Sequence, residues 1–297
     1  MDAVDKVSLP YKLFKRGKVR DVFEVDNRLL IVSTDRISAF DYVLPSLIPG
    51  KGKILNQISL FWFRFSRDLI ANHVVCDEPY KLEEFSDFSS ILENRSILAK
   101  KLTVFPLEAI VRGYIVGSGW KTYQQSGEIC GVKIPKGMKF AEKFPEPIFT
   151  PTTKADEGHD ENMTFEELQH LIGKEDAEKI REYSIELYQK VSEHAADKGI
   201  IIADTKFEFG QDEGGSIVVV DEIFTPDSSR FWKATDYEEK MAIGEEPPAF
   251  DKQYVRNFLL KSTWNRKSPP PELPQDVVRK TAEKYEEIFR ILTGKEL

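Results

Sequence analysis

Residues 201–230 form the segment IIADTKFEFGQDEGGSIVVVDEIFTPDSSR, which is typical of a strand pair. If residues 200–209 form a strand, Asp204, Lys206 and Glu208 share one of its faces, because side chains alternate along a strand. A solvated face is the usual explanation for such a row of charges. The partner run IVVVDEIF, however, is apolar on both faces and ends in Asp221 and Glu222. We therefore expect neither side of the strand pair to be fully solvated.

Several carboxylates and a lysine on a covered sheet are typical of a Mg²⁺–phosphate site, where oxygen ligands hold the metal and lysine binds phosphate. The register of the two strands decides which acid takes part. If Glu208 lies opposite Val219, Lys206 faces Asp221; a shift by one residue brings Glu222 there instead. The alternation of residues leaves both registers open.

Length and composition limit the class of protein. The chain has 297 residues, 41% of them hydrophobic, which allows a sizeable core in two domains or lobes. Its formal net charge of −8 argues against nucleic acid or an anionic membrane as a partner, although a local basic pocket is compatible with it. Cys76 and Cys130 have no metal-ligand spacing and are expected to be free thiols. No stretch approaches a membrane span or a signal peptide, so we expect a cytoplasmic protein.

The order of strand and helix patterns favours an α+β fold. The first hundred residues are typical of strands and turns, and the turn signal DNR predicts a hairpin between YKLFKRGKVRDVFEV and RLLIVSTD. Thr164 and Glu167 form a capping-box pattern before a short and then a long helix. Apolar spacing predicts three further helices, over residues 51–72, 252–260 and 275–292. The strict strand–helix alternation of a doubly wound sheet is absent.

The segment KRGKVRDVF places cations around Gly17. Within a strand, Lys18 and Arg20 would point to the same face, beside a glycine that lets the backbone approach a ligand. This arrangement suits a polyphosphate. On this stretch alone, a solvated edge strand protected by lysines is the stronger interpretation.

Two further segments carry polar residues between apolar runs. STDRISAFDYVLPSLIPGKGKIL contains a polar patch with Ser38 and Asp41, and its GKG sequence precedes a helix whose N-terminus would attract an anion. FPLEAIVRGYIVGSGW places Glu108 and Arg112 in an apolar run. There they form either a structural ion pair or, for Arg112, a contact to a ligand phosphate or carboxylate. The segment STDRISAFDYVLPSLIPGKGKIL is equally compatible with an ordinary loop that leads into a helix N-terminus.

Taken together, these segments resemble the SAICAR synthetase family of purine biosynthesis, the phosphoribosylaminoimidazole-succinocarboxamide synthases. The matching blocks, in the family's order, are RGKVRDVF, STDRISAFDYVLPSLIPGKGKILNQIS, FPLEAIVRGYIVGSGW, TPTTKADEGHDEN, ADTKFEFG and VVVDEIFTPDSSRFW. The resemblance covers the chain from about residue 13 to residue 256. Val116 and Ala203 depart from the residues usual in the family, and neither change removes a functional group.

The resemblance implies a reaction and a shape. ATP, L-aspartate and carboxyaminoimidazole ribonucleotide (CAIR) would give SAICAR, ADP and phosphate with Mg²⁺, through an acyl phosphate. The implied fold is a two-lobed α+β structure with an ATP cleft between lobes, kinase-like in outline. We assign residues 1–107 to an N-terminal β-rich lobe and 108–297 to a C-terminal α+β lobe. The length favours a monomer over a small homo-oligomer.

The resemblance also implies roles for individual residues. Those assigned to ATP are Gly17, Lys18, Arg20, Val104 and Glu108. Those assigned to Mg²⁺ and the nucleotide phosphates are Glu208 and Asp221, which selects the register that pairs Lys206 with Asp221. Those assigned beside the reacting carboxylate of CAIR are Asp204 and Lys206. Those assigned to the ribonucleotide phosphate are Arg112, Ser118, Arg230 and Arg256. Those assigned to aspartate are Ser38 and Asp41. The loop 150–162 is expected to close over the cleft, and its His159 is a structural or solvated residue or, alternatively, a base for the aspartate amine.

Two rival functions use the same residues. A small-molecule kinase would transfer phosphate to an alcohol with a similar nucleotide site. A catalytically inactive nucleotide-binding or scaffold protein would be expected to have a damaged acidic set, whereas Asp204, Lys206, Glu208 and Asp221 are all present.

Overall fold

The computed structural model describes residues 3–154, 161–250 and 252–297. Its strands are β1 (Lys12–Arg16), β2 (Arg20–Val25), β3 (Arg28–Ser33), β4 (Arg36–Ala39), β5 (Tyr42–Leu47), β6 (Val74–Cys76), β7 (Ser96–Lys100), β8 (Thr103–Val104), β9 (Leu107–Tyr114), β10 (Glu128–Ile129), β11 (Val132–Lys133), β12 (Lys143–Phe149), β13 (Thr152–Thr153), β14 (Ile200–Gln211), β15 (Ile217–Val220) and β16 (Ser229–Lys233). Its α-helices are α1 (Lys51–Phe65), α2 (Ser89–Leu92), α3 (Gly117–Ser126), α4 (Phe165–Ile172), α5 (Lys174–Ala196), α6 (Ala234–Ala242), α7 (Gln253–Lys261) and α8 (Gln275–Thr293). Short 3-10 helices lie at Pro79–Lys81 and Glu83–Phe88.

A five-stranded antiparallel sheet in the order β1-β2-β3-β7-β6 forms the N-terminal part. Residues of β2 alternate between half-buried and buried, as expected for a sheet with one face on a core. The predicted β2–β3 hairpin is confirmed, and Asp26 in its turn has a φ of 51°. Phe23, Leu30 and Leu98 pack together on the covered face.

A second sheet of seven strands is built around the long strand β14. β9 and β8 lie along one side of β14, and β16 and β15 lie along the other. Helix α5 packs on β14 and β9, and Ile180 and Leu187 of α5 join Phe207 in the main core. The sheet is thus covered by helices on this face.

The C-terminal helices return to the N-terminal part of the chain. Val255 of α7 and Val277 of α8 pack against Ile37 and Leu44 of the β4–β5 hairpin. The backbone N–H of Leu273 donates to the side chain of Ser46 at 2.7 Å. The two ends of the chain therefore share one core.

Several sequence predictions are confirmed and one helix boundary is not. The fold is α+β, and the capping box of Thr164 and Glu167 begins α4. The helix predicted over residues 51–72 ends at Phe65, because Ser66 leaves helical geometry with a φ of −102° and a ψ of 9°. The Ser66 hydroxyl donates to the carbonyl of Trp62 at 2.7 Å in the last turn. None of the described helices is both long and apolar enough to span a bilayer. The division of the chain into two lobes between residues 107 and 108 stays a prediction. Strand β9 begins at Leu107, and the preceding strand β8 already pairs with β14.

Candidate active site

The charged face of β14 lies between the strands that flank its middle. Asp204, Lys206 and Glu208 are half-buried there, whereas Thr205 and Phe207 on the opposite face are buried. The alternation predicted from the sequence is therefore confirmed, and the charges face neither bulk solvent nor a closed core.

Two lysines neutralise carboxylates on this face. Lys206 Nζ donates to Glu108 of β9, and Lys154 Nζ donates to Glu208. Burial lowers the pKa of Lys206, but Glu108, Glu208 and Asp221 outweigh it and raise the pKa above its usual value. Lys206 therefore stays an ammonium cation at neutral pH, which suits it to hold an anion rather than to accept a proton.

At the Asp204 end of this face, Arg112 hydrogen-bonds several side chains. It is buried and donates to Thr150 Oγ1 at 3.0 Å, to Asp204 at 3.2 Å and to Ser118 Oγ at 3.2 Å. Arg230 approaches the same Asp204 at 3.7 Å. Burial lowers the pKa of Arg112, and Asp204 opposes that shift. The structure thus brings together the residues that the sequence assigned to the ribonucleotide phosphate, with a carboxylate between the two guanidinium groups.

A cavity of about 130 Å³ opens beside this cluster. Asp204, Arg230 and Arg256 line it, as do Asp227 and Lys252. Arg256, predicted from the sequence, is therefore at the same site as Arg230, although it lies on α7.

The predicted register of β14 and β15 is wrong. Glu208 pairs with Val220, not with Val219. The turn sets this register, because Asp212 Oδ1 accepts backbone N–H groups of two later turn residues at 3.0 and 2.8 Å. The expected ladder pairing of Lys206 with Asp221 is absent, since β15 ends at Val220.

Arg20 holds both acids that follow β15. Asp221 leaves the strand with a φ of 65°, so strict alternation ends there. Arg20 contacts Asp221 at 2.7 Å and Glu222 at 2.6 Å. Burial lowers the pKa of Arg20, and the two carboxylates outweigh it, so its pKa is raised. This pair of contacts joins the N-terminal sheet to the β14–β15 hairpin.

The glycine-containing loop precedes β2. Lys18 lies in this loop rather than in the strand, so it does not share a strand face with Arg20; its Nζ meets Asp41 Oδ1 at 2.7 Å. Buried Arg36 donates to the carbonyl oxygens of Gly17 at 3.1 Å and Lys18 at 3.0 Å. Arg36 therefore holds the backbone of this loop in place from its buried side.

Other predicted residues lie further from the face. Val104 on β8 is exposed and pairs with Gly210 of β14. Ser38 is buried on β4, and Asp41 follows it in the hairpin turn. His159 lies outside the described residues, so the described parts of the loop 150–162 are its two ends.

Sequence reasoning missed several residues of the site. Those without an assigned role are Arg36, His73, Lys154, Glu222, Asp227 and Lys252. The signal for Lys154 and Asp227 was available, because they stand in the blocks TPTTK and FTPDSSR. No local pattern marks His73 or Lys252, which reach the site only through tertiary packing.

The two predicted metal ligands fit Mg²⁺ bound together with a nucleotide. Among the described residues, no group of three or more His, Cys, Asp or Glu side chains could hold a metal. Mg²⁺ commonly takes one or two carboxylates and completes its shell with phosphate oxygens and water. Glu208 and Asp221 would supply such a pair of oxygen donors, and both act electrostatically on Lys206.

Comparison with known proteins identifies the family. The SAICAR synthetase family profile matches residues 13–271. The chain belongs to the SAICAR synthetase family. The phosphoribosylaminoimidazole-succinocarboxamide synthase of Thermodesulfovibrio yellowstonii is 53% identical over 284 residues, 95% of this chain and 96% of that protein. The synthase of Neisseria meningitidis serogroup A is 51% identical over 279 residues, 93% of this chain and 96% of that protein.

Solved structures agree with this assignment. The SAICAR synthase of Saccharomyces cerevisiae complexed with SAICAR has a TM-score of 0.89 and 43% identity over 99% of both chains. A SAICAR synthetase in complex with ADP has a TM-score of 0.70 at 24% identity, over 95% of this chain and 98% of that one, and supports the fold. The predicted two-lobed α+β fold is confirmed. The chain is an enzyme of purine biosynthesis, and the predicted ligation of CAIR with L-aspartate is confirmed as its reaction.

His73 provides a pH test of the site's electrostatics. Its ring is buried, and neither ring nitrogen has a hydrogen-bond partner among the described residues. Burial lowers its pKa from 6.5 to about 4, a shift that nearby Arg20 adds to and Asp221 opposes. The folded protein therefore holds a neutral imidazole beside the Arg20–Asp221 pair.

We predict that His73 contributes to acid destabilisation. The unfolded state binds the proton near the ordinary pKa and the folded state only near the lowered one, so stability from this group is lost as the pH falls between them. Between about pH 7 and about pH 4.5, His73 should account for a loss of about 2.5 kcal/mol in the free energy of unfolding. Urea denaturation of the native chain and of His73→Leu at both pH values measures this difference. An equal loss in the two proteins would contradict it.

Proposed function

We propose that this enzyme uses ATP to phosphorylate the carboxylate of CAIR and then transfers the acyl group to the amine of L-aspartate, giving SAICAR, ADP and phosphate. The observation that carries this proposal is the Asp204–Lys206–Glu208 face. It meets Glu108 and Arg112 of β9 and Arg230 of β16. Arg20 of the N-terminal sheet holds the acids Asp221 and Glu222 that follow β15. A carboxylate does not react with an amine directly, because oxide is a very poor leaving group. Phosphorylation converts that oxygen into phosphate, which departs when the amine attacks.

The nucleotide is assigned to the N-terminal side of the cleft. The loop residues Gly17 and Lys18 and the strand residue Arg20 would meet the phosphates, and the fixed position of the loop carbonyls on Arg36 supports this. Val104 and Glu108 are assigned beside the adenine, at the connection between the two sheets. A loop held in place before the ligand arrives loses less freedom on binding.

Glu208 and Asp221 are assigned to Mg²⁺. A bound Mg²⁺ would neutralise charge on the nucleotide phosphates during phosphoryl transfer. Lys206 lies between these acids and Asp204 and, as a permanent cation at neutral pH, would hold the carboxylate of CAIR close to the phosphate it receives. Asp204, oriented by Arg112 and Arg230, would fix the imidazole end of the substrate.

The ribonucleotide phosphate is assigned to Arg112, Ser118, Arg230 and Arg256. Arg112 and Arg230 both contact Asp204, and Ser118 accepts a hydrogen bond from Arg112. Arg230 and Arg256 line the adjoining cavity. Guanidinium groups bind phosphate through paired N–H donors, which suits the site to a phosphomonoester.

The remaining assignments concern L-aspartate, the two lobes, the oligomeric state and the location in the cell. L-Aspartate is assigned to Ser38 and Asp41, next to the loop residue Lys18. The lobes are assigned as residues 1–107 and 108–297, and the chain is proposed to act as a monomer. The two free thiols, Cys76 and Cys130, are in keeping with a cytoplasmic location.

The overall reaction gives the first test. We predict that the purified chain with Mg²⁺ and ATP releases ADP only when CAIR and L-aspartate are both present, with phosphate and SAICAR formed in equal amounts. A coupled ADP-release assay with each component omitted, followed by product analysis, measures this. A small-molecule kinase would consume ATP without releasing phosphate in step with aspartate, and an inactive scaffold would release no ADP.

Glu208→Ala tests the metal assignment. Turnover should fall about 100-fold or more, because one of two carboxylates assigned to Mg²⁺ is lost. The free energy of unfolding should change by about 1 kcal/mol or less, since Glu208 is only half-buried. Glu213→Ala, which removes an exposed acid from the same hairpin, is the control and should keep full activity. Near-native turnover of Glu208→Ala at saturating Mg²⁺ would remove Glu208 from the metal site.

Arg112→Ala tests the ribonucleotide site. The KM for CAIR should rise about 100-fold, while the KM for ATP should change less than about threefold, because the lost guanidinium is assigned to one substrate only. Lys121→Ala removes an exposed cation from α3 and should leave both constants unchanged. Steady-state kinetics in each substrate give the comparison, and equal effects on the two substrates would count against the assignment.

A further inference from the structure

A buried carboxylate connects the C-terminal helix to the active site. Asp227 lies in the turn between β15 and β16, and its side chain is 4% exposed. Lys51 Nζ, at the start of α1, contacts Asp227 Oδ2 at 2.8 Å, and the hydroxyl of Tyr285, on α8, donates to Asp227 Oδ1 at 2.7 Å. Both Lys51 and Tyr285 are fully buried. Three distant segments of the chain therefore meet at one charge.

The electrostatics of this contact are set by two lysines. Burial raises the pKa of Asp227, but Lys51 and Lys252 outweigh it, so the pKa lies below its usual value and the carboxylate stays ionised. The Lys51 ammonium also lies 5.8 Å from the centroid of the Tyr285 ring. A buried ionised carboxylate depends on each of its donors, because leaving part of a buried charge unpaired is strongly unfavourable.

The turn that carries Asp227 touches the catalytic face directly. The carbonyl of Ser228 accepts the backbone N–H of Lys206 at 2.9 Å, and the hydroxyls of Ser229 and Thr205 lie 2.7 Å apart. At its other end, Thr225 donates to Glu222 at 2.6 Å. Displacement of this turn would therefore move the cavity wall relative to Lys206.

Tyr285 stands behind the cavity wall rather than in it. Asp227 lines the cavity, whereas Tyr285 is not among the described residues that line it. Helix α8 also lies beyond residues 13–271, the part of the chain that the family profile matches. A hydroxyl outside the matched region thus reaches the substrate site through one intermediate side chain.

We propose that Tyr285 is a positioning residue for the substrate cavity: its hydroxyl holds Asp227, and Asp227 holds the turn at residues 225–229 in the conformation that receives the ribonucleotide. This inference rests on the assignment of the cavity and its arginines to CAIR. The helix would then contribute to CAIR recognition without touching the substrate.

Tyr285→Phe is the direct test, because it removes the hydroxyl and keeps the packed ring. The KM for CAIR should rise about tenfold, the size expected when a charge-assisted hydrogen bond that fixes a binding wall is lost. The values of kcat and of the KM for ATP should change less than about threefold. Steady-state kinetics in each substrate, with unfolding measured in parallel, give the readout.

Thr281→Val is the matched control. Thr281 is buried one turn earlier on the same helix, and its hydroxyl donates to the carbonyl of Val277 within α8. The substitution removes a buried hydroxyl of α8 without touching Asp227. It should lower stability by an amount similar to that of Tyr285→Phe and leave the KM for CAIR unchanged.

The outcomes separate this inference from the assignment on which it rests. A rise in the KM for CAIR with Tyr285→Phe and with Arg112→Ala, but not with Thr281→Val, supports the inference. If Arg112→Ala raises this KM and Tyr285→Phe does not, the inference is overturned and the CAIR site stands. An equal rise with Thr281→Val shows a general effect of helix stability and overturns it too. An unchanged KM for CAIR in Arg112→Ala refutes the site assignment and the inference together.

Discussion

Carboxylates removed from water must meet cations, and this requirement organises the cleft. A charge without a partner in a buried site is strongly unfavourable, whereas a paired and hydrogen-bonded one is tolerated. Lys206 meets Glu108, and Arg20 meets both Asp221 and Glu222. The acidic residues assigned to Mg²⁺ and phosphate can therefore be held close together in the folded protein.

The same pairing joins parts of the chain that are far apart in sequence. Arg20 belongs to the N-terminal sheet, whereas the acids it holds follow β15. Lys51 begins α1 and reaches the turn after β15 through Asp227. Because these contacts cross between the two sheets or between a helix and a sheet, the charges fix the relative position of the elements that surround the cleft as well as neutralising one another. The ion pairs that neutralise the buried charges therefore also hold the elements around the cleft in their relative positions.

The sequence could predict those features of the site that depend on interactions between residues close together in the chain. Alternation along a strand is local, so the face formed by Asp204, Lys206 and Glu208 was predictable. The register was not, because hydrogen bonds of Asp212 inside the turn set it and the apolar run IVVV is compatible with either alignment. Lys18 was misplaced because the strand begins two residues later. Lys154 stands in the block TPTTK, but its pairing with Glu208 is a tertiary contact that no local pattern predicts.

Charge pairing also limits how the cleft can receive its substrates. The chain carries a net charge of −8, yet ATP and CAIR are both anions. The cations that face the cleft are already paired: Lys206 with Glu108 and Lys154 with Glu208. On the proposed assignment, an entering phosphate would compete with a carboxylate for the same ammonium group. Each lysine that bound the phosphate would leave an acid without its cation. On the proposed assignment, Glu208 and Asp221 would hold Mg²⁺, whose positive charge would meet that need. The pairing of these lysines with carboxylates would thus favour the metal–nucleotide complex over the free nucleotide.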